Sequence, residues 1–253
     1  MLTDTHAHID FDDFDRDRDE VIARAKDVGI ERIIIPGVDL ATSAKAVELA
    51  GQYDIVNAAV GIHPNSTAEA APGDMLEISR LAERDRVVAV GEIGLDYYRD
   101  RAPKDIQARA CRGQLELAQE LKLPVIIHFR NVGMEGVELV GEDLFRSLRG
   151  VFHCFGGSVE FARELVSWGY YIGFDGPLTY KNSDRVDVAR AVALENILIE
   201  TDAPFLTPQS RRGKRNEPSY VLEIAEKLAE VKGIDVDEVI RVTGENARSL
   251  FGF

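Results

Sequence analysis

Short, nearly unbroken apolar runs alternate with longer amphipathic stretches along the whole chain. Each alternation switches from continuous burial to the 3.6-residue spacing of a helix with one apolar face. Runs that read as strands cover 2–8, 32–37, 54–64, 87–96, 124–129, 150–155, 170–174 and 196–202. Helical spacing puts Val21, Ile22, Ala25 and Val28 on one side, closed by Gly29. Further helices are expected at 41–50, 74–84 and 104–121, the last with Cys111, Leu115 and Ala118 on one face. Two more, at 218–232 and 236–250, finish the sequence.

Eight buried-type strands with intervening helices in 253 residues match a single α/β domain over 1–253, a (β/α)8 TIM barrel with an extra C-terminal helix. A doubly wound open sheet is the runner-up. It lacks support, because no strand is followed by Gly-x-Gly-x-x-Gly or by a phosphate-binding Gly-Lys-Ser/Thr loop. Neither a linker nor a short internal repeat interrupts the pattern.

Composition narrows the picture a little. No apolar run is long enough to span a membrane, and the start of the chain turns acidic at once, unlike a signal peptide. Two distant cysteines, Cys111 and Cys154, argue against a disulfide framework, read as packing residues, and fit a reducing cytoplasm. A net charge of −14 argues against a protein that coats long duplex, which needs a basic face. A phosphate-bearing substrate would have to be held by bound metal or by the one basic cluster, Arg211-Arg-Gly-Lys-Arg215, whose plainer reading is a solvated loop.

The positions of the polar residues decide more. All five histidines fall at the carboxyl end of a predicted strand: His6, His8, His63, His128 and His153. Glu92 and Asp202 hold the same place on strands four and eight. In a (β/α)8 barrel those ends converge on one mouth, where active sites sit. His6 and His8, two apart on one strand, point the same way. Each residue also has a plainer reading. His128 and His153 follow apolar residues and could be core histidines bonded to a carbonyl; Asp202 could cap a turn. Glu92, between glycines after an apolar run, would be costly to bury unpaired. Together, imidazoles and carboxylates suit two divalent ions, with zinc, manganese, nickel or iron favoured over calcium and magnesium held more weakly. Such a pair, about 3.5–4 Å apart, can activate a shared water for either phosphoester or amide hydrolysis.

Eight segments in order then carry a family likeness. They are Asp4-Thr-His-Ala-His-Ile-Asp10, Val60-Gly-Ile-His-Pro64, Gly91-Glu-Ile-Gly-Leu-Asp-Tyr-Tyr98, Ile127-His-Phe-Arg130, Phe152-His-Cys-Phe-Gly-Gly-Ser158, Glu200-Thr-Asp-Ala-Pro204, Arg211-Arg-Gly-Lys-Arg-Asn-Glu-Pro218 and Asn246-Ala-Arg-Ser-Leu-Phe251. The chain resembles the TatD family of metal-dependent deoxyribonucleases, a branch of the amidohydrolase-like barrel hydrolases. The resemblance implies one ion held by His6, His8, Glu92 and Asp202. Glu92 would bridge to a second ion completed by His128 and His153, with Mg2+ or Mn2+ the usual activator. It gives Asp202, with Glu92, the catalytic work on the attacking water, His63 a contact to the scissile phosphate, and Arg130 and Asn216 places near the substrate. It also implies exonuclease-type cleavage of DNA and roles in DNA repair. Two departures, Asn65 in place of a second histidine and Asn131-Val-Gly-Met-Glu-Gly136 after the fifth strand, bear on substrate preference.

The leading expectation is therefore a two-ion phosphodiesterase acting on single-stranded DNA or frayed ends, with no membrane and no obligate protein partner. A hydrolase of another ester or amide, such as a D-aminoacyl-tRNA or a lactone, is the alternative. The absence of a lysine at the strand-four position speaks against the carboxylated-lysine type of barrel. A non-catalytic scaffold would require lost ligands, and none is evidently lost.

Overall fold

A computed structural model describes residues 1–99, 101–142, 145 and 147–253. In chain order its regular elements are β1 (Leu2–Asp4), α1 (Arg18–Asp27), β2 (Ile30–Pro36), α2 (Leu40–Gln52), β3 (Val56–Val60), α3 (Asp74–Ala82) and β4 (Val87–Asp96). Then come α4 (Lys104–Leu121), β5 (Val125–Arg130), α5 (Met134–Val140), β6 (Gly150–Phe152), α6 (Val159–Ser167) and β7 (Tyr171–Phe174). The chain ends with α7 (Arg185–Ala191), β8 (Ile197–Ile199), α8 (Val221–Lys232) and α9 (Val236–Phe251). Strand order follows sequence from β1 to β8, the order of a (β/α)8 barrel with α9 as the extra helix. No helix among the described residues is long and apolar enough to cross a membrane.

Packing divides the chain into two compact units, Met1–Ile35 with His153–Phe253, and Pro36–Phe152. In the first, β1 pairs in parallel with β2, and β7 with β8. Thr5 N–H donates to Ile199 O, so the residues after β1 also run beside β8. Ile33, Ile34 and Ile35 are fully buried, each contributing about 1.5–3 kcal/mol relative to exposure. The apolar face expected for α1 is present at Val21, Ile22 and Ala25. Val28 departs from it, being 38% exposed, because it lies past the last helical residue, where the turn through Gly29 (φ 89°) swings it outward.

In the second unit β3, β4, β5 and β6 pair in parallel. Helix α4 buries Cys111, Leu115 and Ala118 as its spacing requires, and adds Gln107 and Gln114. Those amides are buried because they serve as backbone substitutes. Gln114 accepts from Ile62 N–H and donates to Ile62 O, and Gln107 does the same for Asp96. Helices α5 to α7, seven to nine residues long, lie outside the helices expected from periodicity.

Strand ends differ from expectation in one consistent way. His6, His8, His63, His153 and Asp202 lie beyond the last ladder residue, whereas Glu92 and His128 remain inside β4 and β5. A single parallel bridge, Ala7 to Ala203, keeps Ala7 buried and so preserves the alternation that sends His6 and His8 to the opposite side.

Gly94 sets how closely β4 and β5 can approach. Its φ is 138°, and a Cβ there would stand 2.1 Å from His128 O. Gly94→Ala should therefore destabilise the protein by about 2–4 kcal/mol in urea unfolding. A change below about 0.5 kcal/mol, the scale of an indifferent surface substitution, would show that this contact yields freely.

Candidate metal centre

In the first unit the donors come from the segments that follow β1, β6 and β8. His6 Nε2 and His8 Nε2 stand 3.2 Å apart, and Asp202 Oδ1 lies 3.7 Å and 3.6 Å from them. Two ligands each about 2.1 Å from one ion at a tetrahedral angle stand about 3.4 Å apart, so this triangle has the dimensions of a coordination face. His153 stacks on His6 with ring centroids 3.9 Å apart, and His6, His153 and Asp202 present ligand atoms within 4.8 Å of one another. All four side chains are buried. Nitrogen and carboxylate oxygen in this proportion fit a borderline divalent ion.

A carboxylate behind these donors holds each segment in place. Asp4, fully buried, accepts from His6 N–H at 3.3 Å, from Thr201 N–H at 2.9 Å and from the Thr201 hydroxyl at 2.6 Å. It thereby clamps the residue before Asp202 to the strand that carries His6. Burial pushes the Asp4 carboxyl up to about 7 against the pull of those bonds. Glu200, also fully buried, accepts from Cys154 N–H and stands 3.7 Å from His153 Nδ1. Burial alone would raise its pKa, but the His153 hydrogen bond and the nearby imidazoles of His153 and His6 hold it below the usual range. Behind Cys154 the Arg185 guanidinium pairs with buried Asp175 at 3.2 Å, and burial pushes the Cys154 thiol well up, as befits a packing residue.

The second unit supplies Glu92, His63 and His128, again with ligand atoms within 4.8 Å of one another. Glu92 Oε1 is 2.8 Å from His128 Nδ1 and 3.5 Å from His63 Nε2. Asn65 N–H donates to His63 Nδ1 at 3.0 Å. With Nδ1 occupied as an acceptor, the neutral ring carries its proton on Nε2, facing Glu92. That makes His63 a hydrogen-bond donor to an oxygen rather than a ligand. His128 is held from behind: its Nε2 faces Asp96 Oδ2 at 3.4 Å, and Asp96 takes further bonds from Asn65 Nδ2, Tyr98 N–H and Arg99 N–H. Burial works against the Asp96 carboxylate, yet the bonds from His128, Arg99 and Asn65 hold it well below its usual range.

The residues expected near substrate are placed differently from one another. Arg130 is exposed, its guanidinium 4.0 Å over the Tyr98 ring. Asn216 is fully buried, donating to Thr201 O and Phe205 O and accepting from Glu217 N–H. An amide so engaged shapes the Asp202 loop instead of reaching toward solvent. The basic cluster is likewise occupied. Arg211 pairs with Glu223 at 2.8 Å, and Arg215 with Asp17 through both terminal nitrogens, while Arg212 and Lys214 are exposed, Arg212 lying 4.7 Å over the Tyr180 ring. Asp4, Asp96 and Glu200 are not singled out by the sequence, and Asn65 stands out there only as a departure bearing on substrate preference. Asp96 and Glu200 carry the signal that marked Glu92 and Asp202, an acid at the end of an apolar run.

Comparison with known proteins bears on this arrangement. A family model described as TatD related DNase matches residues 3–252. An uncharacterized metal-dependent hydrolase, YabD of Bacillus subtilis, is 44% identical over 252 residues, covering 99% of each chain. The 3'-5' ssDNA/RNA exonuclease TatD of Shigella flexneri is 34% identical over 245 residues, covering 94% of each. Among solved structures, YJJV, a TatD homologue from Escherichia coli, superposes with a TM-score of 0.94 at 32% identity, covering 100% of this chain and 98% of its own.

Asp96→Asn keeps the shape and removes the charge behind His128. Divalent-ion affinity should fall about 10–100-fold in a Mn2+ titration followed by electron paramagnetic resonance; an unchanged affinity would mean that Asp96 does not orient a ligand. The same variant tests a pH dependence. A carboxylate whose folded pKa lies below its unfolded value of about 3.9 stabilises fully above that value and loses the effect as pH falls through the folded one. Wild-type urea midpoints should drop more steeply below about pH 4 than those of Asp96→Asn, and parallel curves would contradict the assignment.

Proposed function

The chain belongs to the family of TatD-related DNases, and we propose that it is a divalent-metal-dependent hydrolase removing nucleotides from single strands or frayed ends of DNA, in the 3'-to-5' direction. The observation that carries this reading is the convergence of His6 Nε2, His8 Nε2 and Asp202 Oδ1 within 3.7 Å of one another, in a chain whose curated relatives include a single-strand exonuclease. The residues assigned to hold the ions are His6, His8, His153 and Asp202 in the first unit and Glu92 and His128 in the second. Mg2+ or Mn2+ is the proposed activator, and the chain is read as one barrel domain over 1–253.

When bound, such ions supply a water of lowered pKa and positive charge opposite the oxyanions of an in-line displacement. The protein's own contribution is positional. Asp202 accepts a proton from the attacking water and aims it. His63, protonated at Nε2, donates to a non-bridging phosphate oxygen, steadying the charge that grows there. Arg130, above the Tyr98 ring, meets the strand beyond the scissile bond. A single strand suits this arrangement because its phosphates can reach donors that are themselves buried, while a continuous duplex presents them on a broad cylinder.

Glu92→Gln and Asp202→Asn should each lower kcat on 5'-labelled single-stranded DNA by about 10²–10⁴-fold, with little change in fold by circular dichroism. Metal-dependent hydrolysis that survives both substitutions would defeat the catalytic assignment. The same panel should include a D-aminoacyl-tRNA and a simple lactone. Turnover of either above that of DNA would replace the nuclease reading with ester hydrolysis of another class.

A further inference from the structure

Five large apolar side chains are substantially exposed among the described residues, and Phe205, at 51%, is one of them. Its setting is unusual for a stray surface ring. It sits three residues after Asp202, with its N–H donated to Asp202 O and its carbonyl accepting from the buried amide of Asn216. The backbone is thus pinned on both sides, and the ring is displayed from a fixed loop. Phe205 lies edge-on to Phe11 at 6.1 Å and to His8 at 6.3 Å between centroids. Phe11 in turn stacks on His8 at 4.7 Å with planes 19° apart. Two phenylalanines and one candidate ligand therefore form a continuous aromatic ledge that begins at the donor triangle and ends in solvent.

A patch two rings wide is too small for a protein partner, and exposed acids, Asp12 and Asp13, flank it, which disfavours an anionic lipid surface. Its occupant must be flat, apolar on its faces, and joined to whatever the His6, His8 and Asp202 donors engage. A nucleobase one sugar away from a bound phosphate meets all three demands, and aromatic rings take unstacked bases whatever their identity. Resting on the nuclease reading above, we propose that Phe205 with Phe11 is the stacking platform for an unpaired base next to the scissile phosphate. The ledge then selects single strands, because a base held in duplex cannot lie against it.

The test uses a single-stranded oligonucleotide whose terminal nucleotides carry either bases or reduced abasic sites, cleaved by wild type, Phe205→Ala, Phe205→Leu and Phe205→Tyr. On the natural strand, Phe205→Ala should raise KM roughly 5- to 50-fold with kcat little changed, Phe205→Leu should resemble it, and Phe205→Tyr should stay near wild type. On the matching abasic strand wild type should carry the same penalty, and Phe205→Ala should add nothing to it. Unchanged KM in Phe205→Ala, multiplied penalties, or full rescue by leucine would each overturn the platform. A second readout separates this from the reaction itself: quenching of a terminal 2-aminopurine on binding to Glu92→Gln protein, lost when Phe205→Ala is added. Quenching lost in that way, with no cleavage of DNA by wild type under any divalent ion, would sink the nuclease reading and keep the platform. The absence of quenching would sink the platform even in an active nuclease.

Discussion

Two imidazole nitrogens and a carboxylate oxygen held within 3.7 Å of one another are the constraint on which the rest of the first unit depends. Donor atoms this close repel unless a cation or a proton lies among them, and burial strengthens that repulsion by thinning the solvent that would screen it. The fold must therefore bring His6, His8 and Asp202 to where a proton or a cation can be shared among them. Asp4 does so directly, tying His6 N–H to both Thr201 groups. Asp202 N–H donates to His6 O, and His8 N–H to Ala203 O, so backbone bonds draw the two segments together before any side chain acts. Farther out, Asn216 locks the loop after Asp202, and the Asp17, Arg24, Arg215 and Glu217 ion pairs hold the Asn216 segment against α1.

The second unit repeats this logic with different parts. Glu92 and His128 stand 2.8 Å apart, and the group behind them is again a buried acid. Asp96 spends its acceptors on Asn65, Tyr98 and Arg99 while facing His128. Asn65 is where this chain departs from the histidine often found after Gly-Ile-His-Pro. Its backbone fixes the tautomer of His63, and its side chain supports Asp96. A substitution that looked like a change of substrate preference thus also serves the placement of two histidines.

How much of this was legible depended on whether a residue's role could be expressed as spacing. His6 and His8 could be paired from a period of two, and Asp202 and Glu92 stood out as acids ending apolar runs. The strand order followed from the alternation of apolar runs with helical faces. What the sequence hid were contacts across long separations. Asp4 meets Thr201 across 197 positions, and no local pattern reports that. Asn216 lies in a conspicuous basic loop, so a substrate contact was the natural reading, while its amide turns inward. Arg211 and Arg215 looked available for phosphate because Glu223 and Asp17, their partners, are distant or in another helix's approach.

The claim at the centre is that these donors were assembled to bind divalent ions. Anomalous diffraction from crystals grown with Mn2+ tests it most directly. The account predicts one peak about 2.1 Å from His6 Nε2, His8 Nε2 and an Asp202 oxygen, and another coordinated by Glu92 and His128. Crystals saturated with Mn2+ that show peaks only at surface carboxylates, with the imidazoles in their present positions, would contradict it.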